Sequence, residues 1–239
     1  MKVNRVDFLR GLKLAKSMGI SEVKFDEQGN FGVASSDGAS LLFGKGLVLG
    51  CKLAILELEV LVKMLDSFSQ AEVMLDVAEG VLKISGGEVR YGYRLANWDL
   101  VDGQEISKKA DIDKDWQWNS GKLVYEDFVK IKKLISALGV AKVSFREDSG
   151  KMVVCVGDKA MYFGEIELKG IGLSIELSFE ADKVNRMLEG LDSGTVVLSF
   201  ATKEMHDDKL NQTYAEGILR VTCGDFTWYI GSLKPEQNK

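Results

Sequence analysis

Two stretches of the chain decide its architecture: DFLRGLKLAKSMGISEVKF at residues 7–25 and DFVKIKKLISALGVAKVSF at residues 127–145. Aligned with an offset of 120 residues, they share most apolar positions, together with the pairs Asp7/Asp127, Arg10/Lys130, Lys13/Lys133 and Gly19/Gly139. Each stretch spaces its apolar residues three and four apart, then passes through a glycine into an alternating segment. This pattern predicts an amphipathic helix followed by a β-strand in each half of the chain.

The correspondence continues further along the chain with a growing offset. Met64-Leu65 matches Met187-Leu188 at an offset of 123, and EGVLKI at 79–84 matches EGILRV at 216–221 at an offset of 137. The increase predicts insertions in the second copy, the largest near Lys203–Tyr214. A repeat of about half the chain indicates a duplicated domain, because solenoid periods are roughly 20–50 residues.

Each copy is predicted to run helix, strands, helix, strands. Helices packed on antiparallel sheet give an α+β class, here a duplicated domain with two amphipathic helices per copy. We expect an N-terminal domain at 1–97, a connector rich in Asp and Lys at 98–118, and a C-terminal domain at 119–239. The predicted helices are 5–18, 56–68, 125–138 and 180–191, and the predicted strands are 22–26, 30–35, 40–43, 73–77, 81–84, 142–146, 151–156, 159–167, 196–200 and 217–221.

The motifs of enzymes and of metal or cofactor sites are nearly absent from the sequence. Its single histidine, His206, argues against histidine triads and multi-histidine metal sites, and the His206-Asp207-Asp208 run falls in the predicted insertion. The three cysteines match no zinc or redox spacing and are expected to be buried thiols of a reducing compartment. We therefore expect no enzymatic activity, no metal and no cofactor.

No segment of the sequence fits a signal peptide or a membrane span, which predicts a protein of the cytoplasm, or of wherever the genome is replicated, and not a secreted one. The net charge of −5 argues mildly against nucleic-acid binding. However, the four helix segments carry ten basic and nine acidic residues, and basic residues recur at matched positions such as Lys13 and Lys133. These lysines either face a polyanion or form an ordinary solvated surface.

The order of segments and the basic helices carry a resemblance to a known family. The segment LVYEDF at 123–128, continuing to KVSF at 142–145, is similar to the opening of a second clamp domain. The ending WYIGSLKP at 228–235 is similar to a clamp's last strand and tail. The chain thus resembles the DNA sliding clamps, in the two-domain form of proliferating cell nuclear antigen and the T-even phage clamps.

The resemblance implies a homotrimeric ring of six similar domains that encircles double-stranded DNA without regard to sequence. It also implies DNA polymerase and a clamp loader as partners, and helices that line the hole. On this hypothesis nine basic residues face DNA: Arg10, Lys13, Lys16, Lys63, Lys130, Lys132, Lys133, Lys183 and Arg186.

Two further sites follow from the same resemblance. Subunits are expected to join through the edge segments 88–95 and 161–168, with interface residues Val89, Tyr91, Tyr93, Tyr162, Phe163 and Ile166. Partner peptides are expected near Leu41, Leu42, Phe43, Gly231, Ser232, Leu233 and Pro235. The alternative for the second site is that Leu41 to Phe43 belong to the core and the tail is disordered.

Two other functions stay open at this point. One is a monomeric processivity factor of the same fold, which binds DNA on one face and needs a far more basic surface. The other is a duplicated α+β scaffold with no role on DNA. Particle mass in solution separates the ring from the monomer.

Overall fold

The computed structural model describes residues 1–46, 48, 50–103, 106–158, 161–189, 191, 195–207 and 212–233. The chain divides into two compact units, Met1–Ala110 and Asp111–Lys239. Each unit combines antiparallel strands with two amphipathic helices, in the order that the sequence predicts. The α+β class and the duplication are therefore confirmed.

The first unit contains a four-stranded antiparallel sheet, one hairpin and one short strand pair. The sheet has the order β1-β6-β7-β8, while β3 pairs with β4 and β2 with β5. Its elements are β1 (Lys2–Asn4), α1 (Arg5–Ser17), β2 (Val23–Phe25), β3 (Asn30–Ala34), β4 (Ser40–Lys45), β5 (Leu53–Ile55), α2 (Leu58–Asp66), β6 (Glu72–Ala78), β7 (Val81–Gly86) and β8 (Val89–Arg94).

The ends of α1 have clear local causes. The Asn4 side chain accepts hydrogen bonds from the amides of Val6 (2.9 Å) and Asp7 (3.4 Å), which are otherwise unpaired at a helix start. Gly19 follows the helix with φ 76°, a conformation that glycine adopts at little cost. The apolar face of α1 is buried, and the Phe8 ring packs edge-on against Phe25, with centroids 6.1 Å apart.

The second unit repeats this plan with longer strands. One sheet has the order β12-β11-β10-β13, and β16, β15, β14 and β9 pair in that order. The elements are β9 (Trp118–Val124), α4 (Tyr125–Leu138), β10 (Lys142–Asp148), β11 (Lys151–Asp158), β12 (Tyr162–Lys169), β13 (Leu177–Glu180), α5 (Ala181–Glu189), β14 (Thr195–Asp207), β15 (Gln212–Cys223) and β16 (Phe226–Gly231). The predicted insertion lengthens the β14–β15 hairpin, and residues 208–211 lie outside the described part of the chain.

An aromatic cluster anchors the core of the second unit. The ring centroid of Phe145 on β10 lies 5.7 Å from that of Phe179 on β13 and 5.2 Å from that of Phe200 on β14. Such aromatic contacts bury large apolar areas and hold β10, β13 and β14 together. In the same unit, α4 buries Phe128, Ile131 and Ile135.

Segment 98–118 contains more regular structure than its lack of periodicity suggests. It holds a 3₁₀ turn at Trp98–Leu100 and a helix, α3 (Ile106–Asp115), and the division between the two units falls after Ala110. The sequence of α3 is mostly polar, so it lacks the apolar stripe by which a helix is recognised.

None of the three cysteines is in a disulfide. Cys155 and Cys223 are buried as predicted, whereas Cys51 is only half-buried, because it lies in a bend before β5 instead of inside a strand.

Candidate nucleic-acid interface

The exposed surface of the first helix pair is a network of lysines and carboxylates. Lys13 Nζ on α1 lies 2.8 Å from Asp66 Oδ1 on α2, and Lys16 Nζ lies 3.6 Å from Glu59 Oε1. Lys16 comes after Lys13 on α1, whereas its partner Glu59 comes before Asp66 on α2. The two helices therefore run antiparallel, side by side, with their charged residues on one surface.

Glu59 is the centre of this network because two lysines share its carboxylate. Lys63, one turn further along α2, approaches Glu59 Oε1 to 3.0 Å, and Lys16 approaches it from α1. The hydrogen bond from Lys63 and the positive charge of Lys16 hold the pKa of the Glu59 carboxyl below its ordinary value. Glu59 is consequently ionised at neutral pH and offsets part of the positive charge of both lysines.

The network is fastened by Arg5, which the sequence does not single out. Its Nε donates to the carbonyl of Gln70 at 2.8 Å and its Nη1 to that of Leu65 at 3.2 Å. The Leu65 carbonyl belongs to the last turn of α2, where carbonyls lack helical partners. Arg5 thus joins the start of α1 to the end of α2. Arg10, which is predicted to contact DNA, is half-buried.

On α4 the predicted basic residues differ in their availability. Lys130 Nζ is 2.9 Å from Asp127 Oδ1, one turn earlier on the helix. Lys133 is exposed and Lys132 is half-buried, and neither has an ion-pair partner within the described residues. Lys133 is therefore the most available cation on this helix.

On α5 both predicted cations pair with carboxylates. Lys183 Nζ contacts Glu180 Oε1 at 2.8 Å, and its side chain is only 13% exposed. Arg186 Nη2 contacts Asp182 Oδ2 at 2.7 Å and is 45% exposed. Arg186 can therefore reach an external anion more readily than Lys183 can.

Such exposed pairs restrain their lysines only weakly. Exposed ion pairs contribute about 0–1 kcal/mol each, because water and salt screen them and side-chain ordering opposes them. A phosphate can therefore replace Asp66 at Lys13, or Glu59 at Lys16, with little loss. The pairing of Asp66 and Glu59 with these lysines was not predicted from the sequence. The i,i+4 spacing of Glu59 and Lys63 does indicate the ion pair within α2.

The two strands predicted to form the subunit interface are edge strands of their sheets. β8 is the last strand of β1-β6-β7-β8, and β12 the first of β12-β11-β10-β13, so no described strand pairs with their outer sides. Tyr162 and Phe163 are about half exposed, and Val89 is 40% exposed. Tyr91 and Ile166 are half-buried.

Tyr93 differs from the other residues predicted at the interface. Its side chain is 4% exposed, and its hydroxyl accepts a hydrogen bond from the Glu57 amide at 2.9 Å. Burial raises the pKa of this hydroxyl above its ordinary value. Tyr93 thus belongs to the interior of its own unit, where it positions the start of α2.

Residues predicted to bind partner peptides fall into two groups. On β4, Leu42 and Phe43 are buried and only Leu41 is partly exposed, in keeping with the core alternative for these two residues. Gly231, Ser232 and Leu233 are half-buried. The Leu233 amide donates to the Ser178 carbonyl of β13 at 2.7 Å, whereas Pro235 lies outside the described residues. The partner site itself stays a prediction.

Within the described part of the chain, no group of three or more His, Cys, Asp or Glu side chains could hold a metal ion. The side chains of His206-Asp207-Asp208 are not part of that description. No helix among the described residues is long and apolar enough to cross a membrane.

Two solved structures share this architecture. The crystal structure of proliferating cellular nuclear antigen from Entamoeba histolytica matches with a TM-score of 0.70 and 17% identity, over 99% of this chain and 98% of that one. The DNA polymerase III beta subunit from Thermotoga maritima matches with a TM-score of 0.68 and 10% identity, over 98% of this chain and 64% of that one. No protein-family model and no curated protein sequence matches the chain. The chain therefore has the sliding-clamp fold, as predicted.

Proposed function

We propose that this chain is a sliding clamp. Three copies close into a ring around double-stranded DNA and tether DNA polymerase and other replication proteins, after a separate clamp loader has placed the ring. The protein acts as a non-enzymatic scaffold wherever the genome is replicated. The observation that carries the proposal is the recurrence of exposed basic side chains, Lys13 on α1 and Lys133 on α4, at matched positions of a duplicated clamp fold.

The charge balance of the helices suits a ring. A protein that encloses DNA is held by topology, so its lining needs only weak, sequence-independent attraction to phosphates that permits sliding. Lysines that already share carboxylates, such as Lys13 with Asp66 and Lys16 with Glu59, supply attraction of this kind. They exchange one anion for another as the DNA moves past.

The same charge balance disfavours a monomer that binds DNA on one face. Such a protein depends on affinity alone, and affinity for DNA rises with the number of phosphates that basic residues neutralise. Here six of the nine predicted contacts on α1, α2, α4 and α5 are offset by nearby carboxylates: Lys13, Lys16, Lys63, Lys130, Lys183 and Arg186.

Retention on circular DNA tests the proposal. The purified chain is dissociated at high salt and returned to low salt with a nicked plasmid, so that subunits can close around the circle without a loader. Unbound protein is then removed by gel filtration. We expect protein to stay with the circle and to be released when a restriction enzyme linearises the plasmid, because a ring runs off free ends.

The matched control is the same plasmid linearised before the protein is added. Light scattering on the protein alone gives its mass, for which we expect three times 26.4 kDa. Equal retention on circular and linear DNA, or a monomer mass throughout, would contradict the encircling ring. Absence of salt-sensitive retention on both forms would favour a scaffold with no role on DNA.

A further inference from the structure

The edge strand β8 has two chemically different faces. Tyr91 and Tyr93 point to the helix side, where the Tyr91 ring packs on Phe68 with centroids 5.4 Å apart. Since successive side chains of a strand alternate, Arg90 and Arg94 lie on the opposite face. Both arginines are exposed, and neither has an ion-pair partner within the described residues.

The edge strand β12 has the complementary arrangement. Gly164 and Leu168 mark its helix side, because a Cβ on Gly164 would come within 2.5 Å of Leu134 of α4 and Leu168 is buried. By alternation, Glu165 and Glu167 lie on the opposite face, and both are exposed. β8 is thus basic, and β12 acidic, on the face away from the helices.

The carboxylates of β12 have partners in their own sheet but keep capacity for more. Arg146 Nη2 contacts Glu165 Oε1 at 3.2 Å, and Lys151 Nζ contacts Glu167 Oε2 at 2.6 Å. A carboxylate has about four lone-pair positions on its two oxygens. Each glutamate can therefore accept from a second cation, and arginine suits this role because its guanidinium presents several donors.

We infer that Arg90 and Arg94 of one copy face Glu165 and Glu167 of the next, so that charge selects β8 and β12 as partners. This inference rests on the proposed ring, in which every helix layer faces the same side. Joining β8 to β12 edge to edge under that condition places the two arginines and the two glutamates on one face of the continuous sheet. Opposed or diagonal side chains on one face lie about 5–8 Å apart, within the reach of arginine.

The helix-side faces of the same two strands agree with this pairing. There Val89 and Tyr91 on β8 meet Tyr162 and Ile166 on β12, so that apolar side chains face apolar side chains. Pairing β8 with a second β8 would instead oppose arginine to arginine, and pairing β12 with itself would oppose glutamates. Like charges directly opposite one another destabilise a strand pair. The subunit interface therefore pairs β8 with β12, and neither strand with a second copy of itself.

Charge reversal tests the inference on the full chain. R90E/R94E makes both edges acidic, and E165R/E167R makes both basic. We expect each variant to assemble at least about tenfold more weakly than the original chain in about 50 mM salt, and the difference to shrink in about 500 mM salt as screening increases. Sedimentation equilibrium measures the assembly constant, and circular dichroism confirms that each variant is folded.

The decisive variant carries all four reversals in one chain. R90E/R94E/E165R/E167R restores opposite charges with exchanged signs, and we expect it to recover most of the lost assembly. The neutral variants R90Q/R94Q and E165Q/E167Q guard against misfolding of E165R, which loses its contact with Arg146, and we expect intermediate losses from them. K114E/K122E is the matched control, because it reverses two exposed lysines on α3 and β9, outside β8 and β12 and the strands paired with them, and we expect it to leave assembly unchanged.

The outcomes separate this inference from the proposed function. If the original chain forms trimers and all reversals leave assembly unchanged, the charge pairing is wrong and the ring stands. If single-edge reversals weaken assembly and the fourfold variant does not recover, the arginines and glutamates do not face one another. If the original chain stays monomeric at all concentrations, both the ring and the pairing are overturned.

Discussion

Lys13 Nζ on α1 lies 2.8 Å from Oδ1 of Asp66 on α2, across 53 positions of sequence. Both side chains are about half exposed, so the pair is open to water and to other ions. The contact joins the two helices and also makes Asp66 a competitor for any phosphate that approaches Lys13. The carboxylates therefore tune the strength with which the helix surface attracts DNA.

Neutralising Glu59 should strengthen DNA binding. E59Q removes the carboxylate that Lys16 and Lys63 share, so we expect roughly two- to fivefold tighter binding of a short duplex at low salt. Fluorescence anisotropy measures the affinity. The control E72Q neutralises a carboxylate on β6 that is paired with Lys2 of β1 at 2.6 Å and belongs to neither helix, and it should leave DNA binding unchanged. Equal effects of the two variants would contradict the role given to Glu59.

The advantage of E59Q should depend on pH in a defined direction. Because its lysine neighbours lower the pKa of Glu59, the original chain keeps this carboxylate ionised at neutral pH and protonates it only at a pH below the ordinary glutamate value. We therefore expect the affinity difference between E59Q and the original chain to persist at neutral pH. It should disappear as pH falls through that lowered pKa. A pH-independent difference would show that another property of the variant is responsible.

Reversing three helix lysines should weaken retention on DNA without unfolding the ring. K13E/K130E/K133E replaces attraction by repulsion on α1 and α4, and we expect reduced clamp-dependent processive synthesis and a shallower dependence of binding on salt. Each lost phosphate contact lowers the slope of log affinity against log salt by about 0.9. K83E/K114E/K122E reverses three exposed lysines outside these helices and serves as the control. Unchanged processivity in the helix variant would show that these helices do not face DNA.

Glu147 should hold the loop that follows β12. Its Oε2 accepts from the amides of Ile171 (3.0 Å), Gly172 (2.6 Å) and Leu173 (3.1 Å). We expect E147A to lower the hydrogen-exchange protection of these three amides and E147Q to lower it less, because the amide oxygen still accepts. Exchange elsewhere in the unit is the internal control.

The Glu147 contact should also be lost in acid. The donated hydrogen bonds, led by that of Leu173, lower the pKa of the carboxyl. A carboxyl with a lowered folded-state pKa contributes stability above its unfolded-state value and loses it as pH falls through the folded-state value. Protection of the loop amides, corrected for intrinsic exchange, should therefore converge on that of E147A in acid. Persistent protection would contradict this.

Asp113 should tie the end of α3 to the strands of the second unit. Its Oδ1 accepts from Tyr229 Oη at 2.9 Å and from Arg220 Nη1 at 2.7 Å. We expect Y229F to lower the free energy of unfolding by about 1 kcal/mol, and D113A by about 2 kcal/mol because two donors then lose their acceptor. Urea unfolding measures both. Y125F is the control, since the Tyr125 hydroxyl has no hydrogen bond among the described residues.

Alkaline unfolding gives a second readout of the same contact. Burial, together with the bond to Asp113, raises the pKa of Tyr229 above the ordinary tyrosine value. The neutral hydroxyl therefore contributes stability below the ordinary value, and this is lost as pH rises through the raised folded-state pKa. The stability of Y229F should therefore not fall with this ionisation at high pH. If Y229F and the original chain lose stability identically as pH rises, the role given to the Tyr229 hydroxyl is wrong.

Much of the helical structure could be predicted because helix signals are local. The predicted helix 125–138 has the same bounds as α4, and α1 ends at Ser17, one residue before its predicted end. In contrast, β1, β5, β9 and β13 escaped prediction; of these, β1, β5 and β13 have only three or four residues, which leaves little alternation to detect. The polar helix α3 was not predicted, because its sequence has no apolar stripe to indicate a buried face.

The sequence by itself determined the duplication, the fold class and the helix positions that carry basic residues. Each of these depends on patterns within a few turns or between aligned copies. Only the tertiary structure decided that Asp66 faces Lys13, that Tyr93 is buried, and that the edge strands β8 and β12 carry opposite charges on the face away from the helices. Strand order and helix pairing join residues that are far apart in sequence, so no local period encodes them.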